Sequence, residues 1–191
     1  QMKKIVISFI CVTSLFSLGG CTSLDVTPVS SITDDNYWKT PDHFDAFMNG
    51  LHTRFREGSF NYFLLGEARS DVFGDQPFGG EASQGMERLP YNTLNEENPV
   101  ISNYGRFYEN INQLNLMIYK ILNTDNLTEA AGNYYLGQAY GMRAYYYFHL
   151  LRSWGDAIIT TEPTEQLDLT NLAKAASPAE DVMKFIKNDI D

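Results

Sequence analysis

Hydrophobic residues recur every three or four positions in several stretches of the chain, the spacing that places them on one face of an α-helix. The first such stretch predicts a helix over residues 41–56. Thr40 and Pro41 are typical of the position before a helix and of its first turn, and Gly58 is typical of the position after its end. The pattern therefore predicts both the helix and its limits.

Two longer stretches with the same spacing follow one another closely. They predict helices over residues 104–122 and 129–153, with a polar turn at 123–128 between them. A short turn between two long helices favours an antiparallel helical hairpin. The second helix also carries three small residues that we expect to let a neighbouring backbone approach closely: Gly137, Gly141 and Ala144.

The remaining sequence is less regular. Residues 59–103 interleave glycines and prolines with aromatic residues and keep no period, which predicts a long loop region, and loops of that length are often functional. Residues 157–161 favour a short strand, and 162–176 favour a further loop. The run 177–180, Ser-Pro-Ala-Glu, combines a capping box with a proline at the first helical position and predicts a last helix.

Helical hairpins in series are typical of tetratricopeptide-like repeats. Leu136-Gly137-x-x-Tyr140 matches part of that repeat's signature, although no second copy follows at the period of about 34 residues that the repeat requires. We therefore expect a mostly all-α fold of tetratricopeptide-like helical hairpins joined by long irregular loops.

The first twenty residues have the pattern of a secretory signal. A lysine pair precedes an apolar stretch, residues 5–18, that is too short to span a membrane and is followed at once by polar sequence. Leu18-Gly19-Gly20-Cys21 resembles the lipobox of bacterial lipoproteins, in which the cysteine receives a diacylglycerol and becomes the first mature residue. Cleavage would remove Cys11 and leave Cys21 unpaired, and lipidation would cap its thiol. We expect a lipoprotein signal peptide over 1–20 and lipid attachment at Cys21, with an ordinary secretory signal and an incidental cysteine as the alternative.

The charge of the chain limits its partners. It has 14 Lys and Arg against 24 Asp and Glu, a net charge of −10, which excludes a nucleic-acid binder because such proteins need a basic face. Removal of residues 1–20 would leave a net charge of −12, since that part holds Lys3, Lys4 and no acidic residue. Anionic headgroups repel such a body, so we expect acyl chains to hold it at the membrane through a polar tether, residues 22–31.

Candidate catalytic groups are few and poorly spaced. Glu67 and Asp71 lie four residues apart and Glu96 and Glu97 are adjacent, whereas a glycoside hydrolase needs two carboxylates across a sugar-sized cleft. The three histidines, at positions 43, 52 and 149, lack metal-ligand spacing, and no glycine loop leads into a lysine-bearing helix start. We predict no catalytic activity, no metal and no cofactor.

A family resemblance rests on one long helical motif. The run 143–156, Arg-Ala-Tyr-Tyr-Tyr-Phe-His-Leu-Leu-Arg-Ser-Trp-Gly-Asp, resembles the signature helix of SusD/RagB-family lipoproteins. Shorter motifs agree with it: Tyr108-x-x-Ile111-Asn112-x-x-Asn115, Glu67-x-x-Ser70-Asp71, Tyr37-Trp38-x-Thr40, and Cys21 followed by Leu24-Asp25-x-x-Pro28. The chain departs from the family after Asp156, where Val-Pro-Leu is usual and this chain has Ala157-Ile158-Ile159.

The resemblance implies a non-enzymatic lipoprotein at the outer surface of a Gram-negative outer membrane, built on a tetratricopeptide-like scaffold. Members of the family capture oligosaccharides or polysaccharides and pass them to a SusC-like TonB-dependent transporter. They are also much longer than this chain, so residues 21–191 would be a SusD-like N-terminal domain whose C-terminal part is missing. Asp189 and Asp191 point the same way, because acidic residues are unfavourable at the end of a helix and suggest missing partner helices.

Glycan binding needs aromatic faces that stack on sugar rings and polar groups that bond hydroxyls. Most aromatic residues at helical spacing belong in the core. Arg88, Tyr91 and Asn92 lie in the least periodic part of the loop region and are our candidates for glycan contacts. The alternative function is a lipid-anchored helical scaffold that binds only peptides or proteins.

Two sets of signature side chains are expected to be structural. Residues 145–148, Tyr-Tyr-Tyr-Phe, cover every face of their helix, so some must be buried and others must meet a partner element. Arg143 and Arg152 are expected to bond carboxylates or to cover aromatic faces.

Overall fold

The computed structural model describes residues 37–72, 93, 104–164 and 173–191. These residues are mostly helical and contain no strand, only one antiparallel bridge between Ala157 and Ser177, so the all-α prediction is confirmed. No helix in the described ranges is long and apolar enough to cross a membrane. The helices in chain order are α1 (Pro41–Glu57), α2 (Ser59–Leu65), a 3₁₀ turn (Glu67–Arg69), α3 (Gly105–Leu122), α4 (Glu129–Trp154) and α5 (Ala179–Ile190).

The centre of the described body is α4, which packs against α1, α3 and α5. Burial of each large apolar side chain contributes about 1.5–3 kcal/mol to folding. The core draws such side chains from α1, α3, α4 and α5: Phe44, Ile111, Leu114, Met117, Tyr147, Leu150 and Val182. The predicted hairpin of α3 and α4 is confirmed.

Local signals set the limits of α1 and α4. Thr40 is the N-cap of α1, Pro41 opens it and Gly58 ends it, as predicted. At the start of α4 the Oγ1 of Thr128 accepts a hydrogen bond from the N–H of Ala131 at 3.3 Å. Gly155 ends α4 with φ of 83°, a conformation that glycine adopts without a steric penalty.

The predicted loop over 59–103 is wrong at its beginning, because α2 and the 3₁₀ turn occupy residues 59–69. A helix of seven residues is too short to show a period. Tertiary contacts stabilise it instead, since Leu64 and Leu65 are buried and the ring of Tyr62 lies 5.7 Å from that of Phe55 in α1. Packing therefore decides this element where the local pattern is silent.

The small residues of α4 do not all behave as expected. Ala144 is buried, but Gly137 and Gly141 are exposed, and a Cβ built on either would meet nothing within 4 Å among the described residues. Gly132 makes the closer approach, since a Cβ there would lie 3.6 Å from Cγ2 of Ile121 in α3. Within the described ranges, the expected close backbone packing is therefore not found at Gly137 or Gly141.

The start of α5 also differs from the predicted capping box. Pro178 is the N-cap of α5 and not its first helical residue, and the backbone of Ser177 pairs with Ala157 through hydrogen bonds of 2.9 and 3.2 Å. Asp156 supplies the cap from a distance, because its Oδ1 accepts the N–H of Ala179 at 2.9 Å. The β-prone pattern over 157–161 yields only this single bridge.

The chain reaches α1 through a strained turn at Trp38. Its φ of 62° is unusual for a large side chain, and the surroundings hold it in place. The indole ring is buried against Phe44 and Phe47, and the carbonyl of Trp38 accepts a hydrogen bond of 3.0 Å from Nδ2 of Asn126. The start of the described body is thus fixed to the α3–α4 turn.

Candidate functional site

An irregular segment after α4, residues 157–164, lies along α3 and is held there by side chains. We call it the wall segment. The N–H of Ile158 donates to Oη of Tyr108 at 2.8 Å, and the N–H of Thr160 donates to Oη of Tyr147 at 2.8 Å. Nδ2 of Asn115 donates to the carbonyl of Thr160 at 2.9 Å. Side chains of α3 and α4 therefore form the hydrogen bonds to the backbone of the wall segment that a neighbouring strand would form in a β-sheet.

Asn112 holds the outer part of the wall segment. Its Oδ1 accepts the N–H of Thr164 at 2.7 Å, and its Nδ2 donates to the carbonyl of the same residue at 3.2 Å. Tyr108, Asn112 and Asn115 are spaced four and three apart, so they share one face of α3. That face carries the wall segment.

A buried ion pair supports the inner end of this arrangement. Arg143 of α4 makes a bidentate contact with Asp189 of α5, with Nη2–Oδ1 and Nε–Oδ2 distances of 2.7 and 2.8 Å, and both side chains are only 5% exposed. The Nη1 of Arg143 donates to Oδ1 of Asn115 at 2.8 Å. Asp189 therefore has a structural role, and the inference that its charge is unfavourable at this helix end is wrong because Arg143 neutralises it.

The guanidinium of Arg143 also lies 5.1 Å from the ring of Tyr140 and 5.0 Å from that of Phe185. Arg152 donates to His149 and lies 6.0 Å from the ring of Phe148. The expectation that these two arginines bond carboxylates or cover aromatic faces is confirmed, with a carboxylate partner for Arg143.

Between α3 and the wall segment lies an open cleft of about 420 Å³. Its described lining consists of Gly105, Tyr108, Glu109, Asn112, Ile158, Thr160, Thr164 and Lys174. The ring of Tyr104, which is 49% exposed, lies 6.0 Å from that of Tyr108 beside this lining. Hydroxyl, carboxylate and ammonium groups next to an exposed aromatic ring suit a ligand with many hydroxyl groups.

A second polar group, His149, is buried among aromatic rings. Its ring centroid lies 4.6 Å from that of Tyr62 and 4.5 Å from that of Tyr145. Burial, together with the nearby charge of Arg152, lowers the pKa of His149 to about 4. Because Nε of Arg152 donates to Nδ1 of His149 at 3.1 Å, that nitrogen carries no proton and the ring is neutral. Burial also raises the pKa of Tyr62. This cluster has the properties of a core.

The aromatic run at 145–148 divides as expected. Tyr146 and Tyr147 are buried, while Tyr145 and Phe148 are 38% and 44% exposed. Phe107 is buried and Tyr108 half-buried, in agreement with the expectation that aromatic residues at helical spacing face inward.

The residues predicted to contact glycan or lipid, Cys21, Arg88, Tyr91 and Asn92, lie outside the described residues, as do Glu96 and Glu97. Glu67 belongs to the 3₁₀ turn, where its carbonyl accepts Oγ of Ser70 at 2.6 Å. In the ranges that the structure describes, no three residues among His, Cys, Asp and Glu group together as metal ligands. His43 and His52 have other contacts: Nδ1 of His43 accepts the N–H of Lys39, and Nε2 of His52 lies 2.7 Å from Oε1 of Gln138.

The residues that line the cleft are not among the glycan contacts predicted from the sequence. Tyr108 was expected to face the core, Asn112 was noted only as part of a family motif, and Thr160, Thr164 and Lys174 carried no functional prediction. One available signal is the polar face of α3, where Tyr108, Asn112 and Asn115 interrupt an otherwise apolar pattern at helical spacing. The contribution of the wall segment had no local signal.

The chain is similar to proteins of one family in its sequence and its fold. A SusD-like family model, described as starch-binding and associating with the outer membrane, matches residues 24–189. The chain is 61% identical to NanU of B. fragilis, with a TM-score of 0.74 over 86% of this chain and 32% of that one. It is 60% identical to a SusD superfamily protein of Bacteroides vulgatus, with a TM-score of 0.70 over 80% of this chain and 30% of that one.

A curated relative, the SusD-like protein P38 of Formosa agariphila, is 30% identical over the whole of this chain and 37% of its own length. The chain thus spans about a third of the length of the relatives that it matches. The tetratricopeptide-like helical fold expected from the sequence is confirmed by these neighbours.

Proposed function

We propose, because the chain belongs to the SusD-like family, that it is the N-terminal part of a surface lipoprotein that binds glycans for uptake. The observation that carries this proposal is the family match over residues 24–189, whose description names starch binding and the outer membrane. Residues 1–20 serve as the signal peptide and residues 21–191 form the SusD-like N-terminal domain.

The anchor of this protein is Cys21. Its thiol receives a diacylglycerol, and residues 22–31 separate the lipid from the folded body. The position of the cysteine directly after Leu18-Gly19-Gly20 supports this role. The family description, which names association with the outer membrane, supports a location there, and we propose that the protein lies on its outer surface.

The glycan binds where the loop region and the cleft offer aromatic and polar groups. Arg88, Tyr91 and Asn92 make contacts from the loop region. The cleft contributes its hydroxyl groups and the exposed ring of Tyr104. The protein binds without catalysis. Glu109 is the carboxylate among the described lining residues, and a glycosidase needs a second one across the sugar.

The bound glycan passes to a SusC-like TonB-dependent transporter that contacts the helical body. The outward face of α4 favours such a contact with a protein. The outward face of α4 carries Tyr134, Gly137, Gly141, Tyr145 and Phe148, a run without charge on an acidic protein. The same face favours the second candidate function, a lipid-anchored scaffold that binds only peptides or proteins.

The test is isothermal titration of a panel of oligosaccharides and polysaccharides into the full-length protein that contains this chain. We expect saturable binding of one glycan class and at least a tenfold loss of affinity in the triple variant Arg88→Ala, Tyr91→Ala, Asn92→Ala. A matched control removes the same residue types from exposed helical positions, as Arg56→Ala, Asn133→Ala, Tyr134→Ala.

Two results would count against the proposal. If folded full-length protein binds no glycan, the protein-only scaffold is the better description. If the triple variant binds as tightly as the control, Arg88, Tyr91 and Asn92 are not the contacts, and variants of Tyr104 and Glu109 would then report on the cleft.

A further inference from the structure

We infer that Asn112 is a positioning residue that fixes the outer half of the wall segment and thereby gives the cleft its shape. The inference rests on the proposed function, since it concerns the same cleft. It assigns Asn112 a role other than the ligand contact that an amide in a polar cleft would suggest.

The geometry of the Asn112 amide carries the inference. Its oxygen accepts the N–H of Thr164 at 2.7 Å, and one of its N–H groups donates to the carbonyl of Thr164 at 3.2 Å. The side chain thus pairs with both backbone groups of one residue, as a neighbouring strand would. An amide held at both ends has a fixed orientation, and one acceptor position of its oxygen and one of its N–H groups are already used within the protein.

The attachments along the wall segment divide it into two halves. Ile158 and Thr160 form the inner half and are bonded by Tyr108, Tyr147 and Asn115, which also connects to Arg143. Thr164 belongs to the outer half, four residues beyond Thr160, and is bonded by Asn112. Loss of Asn112 therefore releases the outer half while the inner half stays attached.

Burial makes Asn112 separable from the core. Asn115 is completely buried, so its substitution would disturb the fold itself. Asn112 is only partly buried, and its two bonds to Thr164 lie at the exposed edge of the cleft. Its substitution removes an attachment without opening a cavity in the core. The effect on the cleft can therefore be measured in a folded protein.

The test compares Asn112→Ala with Gln113→Ala, the neighbouring amide side chain on α3, in the full-length protein. Hydrogen exchange of individual backbone amides reports on the wall segment. We expect the amide of Thr164 to exchange at least tenfold faster in Asn112→Ala, with the amides of Ile158 and Thr160 unchanged, and no change at any of the three in Gln113→Ala. Glycan affinity should fall about tenfold in Asn112→Ala alone.

A double-mutant cycle separates positioning from general weakening of the fold. Thr164→Pro removes the N–H that Asn112 accepts, so it should reduce glycan affinity as Asn112→Ala does. The two changes together should cost little more than either alone, because they break the same attachment. Additive losses would show that Asn112 acts elsewhere and would overturn the inference.

Two further outcomes would also overturn it: unchanged exchange of the Thr164 amide in Asn112→Ala, or faster exchange with unchanged glycan affinity. If the unaltered protein binds no glycan, the proposed function fails. The exchange of the Thr164 amide then still decides whether Asn112 fixes the wall segment.

Discussion

Arg143 shows how one charged residue organises distant parts of the chain. It joins α4 to Asp189 in α5 and to Asn115 in α3. Asn115 in turn donates a hydrogen bond to the carbonyl of Thr160. Arginine suits this position because its planar fork bonds a carboxylate at two points while its face rests on aromatic rings. A signature residue of the family therefore acts in the scaffold.

The ion pair should be costly to break from one side. Asp189→Asn leaves the buried guanidinium without its counter-charge, and we expect the free energy of unfolding to fall by about 3–5 kcal/mol. Arg143→Lys should also lower the free energy of unfolding, since an ammonium keeps the charge but cannot make the bidentate contact. Urea unfolding followed by circular dichroism would measure both.

Glu180→Gln is the matched control for Asp189→Asn, because it neutralises an exposed acid on the same helix that pairs with Lys184. It should have little effect. Equal unfolding midpoints for Asp189→Asn and Glu180→Gln would show that the Arg143 pair contributes nothing special.

His149 predicts how stability responds to acid. Its pKa is about 4 in the folded protein and about 6.5 in an unfolded chain. Above pH 6.5 both states are neutral and the full stability is present. As the pH falls toward 4, His149 gains a proton in the unfolded state but not in the folded state. This difference lowers the free energy of unfolding by about 1.4 kcal/mol per pH unit.

The measurement for His149 is urea unfolding at pH 7.5 and pH 5.0 for the unaltered protein and for His149→Gln. Carboxylates titrate equally in both, so the difference between the two pH dependences isolates the imidazole. We expect the variant to lose less stability between these pH values. If the two proteins lose the same amount of stability, His149 gains its proton in the folded protein as readily as in the unfolded chain.

At the scale of helices, exposed and strained glycines should respond in opposite directions. Gly141 lies inside α4, and no described residue obstructs a methyl group there, so Gly141→Ala should raise the free energy of unfolding by about 0.5–1 kcal/mol. Gly155 has φ of 83°, so Gly155→Ala should lower it by about 1–3 kcal/mol. Thermal unfolding of the pair would check both, and destabilisation by Gly141→Ala would reveal a close neighbour at that face.

These glycines also show what the sequence can and cannot predict about elements. Helices α1, α3 and α4 were predicted to within about one residue at each end, because they are long and their boundary residues act locally. α2 was missed because packing stabilises it. The cap of α5 was misassigned because the accepting oxygen belongs to Asp156, 23 residues before the N–H it bonds. Helix boundaries that depend on neighbouring residues can be predicted from a sequence, whereas hydrogen bonds to distant residues cannot.

At the scale of the whole molecule, the same distinction applies to the candidate site. The resemblance of residues 143–156 led to the correct family, although most of those side chains serve the scaffold. The cleft combines α3 with a segment about 50 residues later, and Asn112 meets Thr164 across that distance. No pattern in either stretch alone predicts the pairing, so the cleft became visible only in the folded chain.

The net charge of the chain and the proposed lipid anchor together predict how the protein is attached to the membrane. If residues 1–20 are removed as proposed, the remaining net charge of −12 gains nothing from anionic headgroups, so the proposed acyl chains at Cys21 would supply the membrane affinity. Cys21→Ala in the full-length protein should be exported yet recovered in the soluble fraction, without incorporation of labelled palmitate. The unaltered protein should take up the label and resist release by high salt, because its attachment is apolar.

Cys11→Ala is the control for this experiment. It changes the cysteine that lies inside the apolar stretch of the signal, so the mature protein and its attachment should be unaffected. The host should lack the partner transporter, since a protein contact could hold the unlipidated chain at the membrane. Retention of Cys21→Ala in that host would mean that the folded body binds the membrane by itself, against the repulsion that its charge predicts.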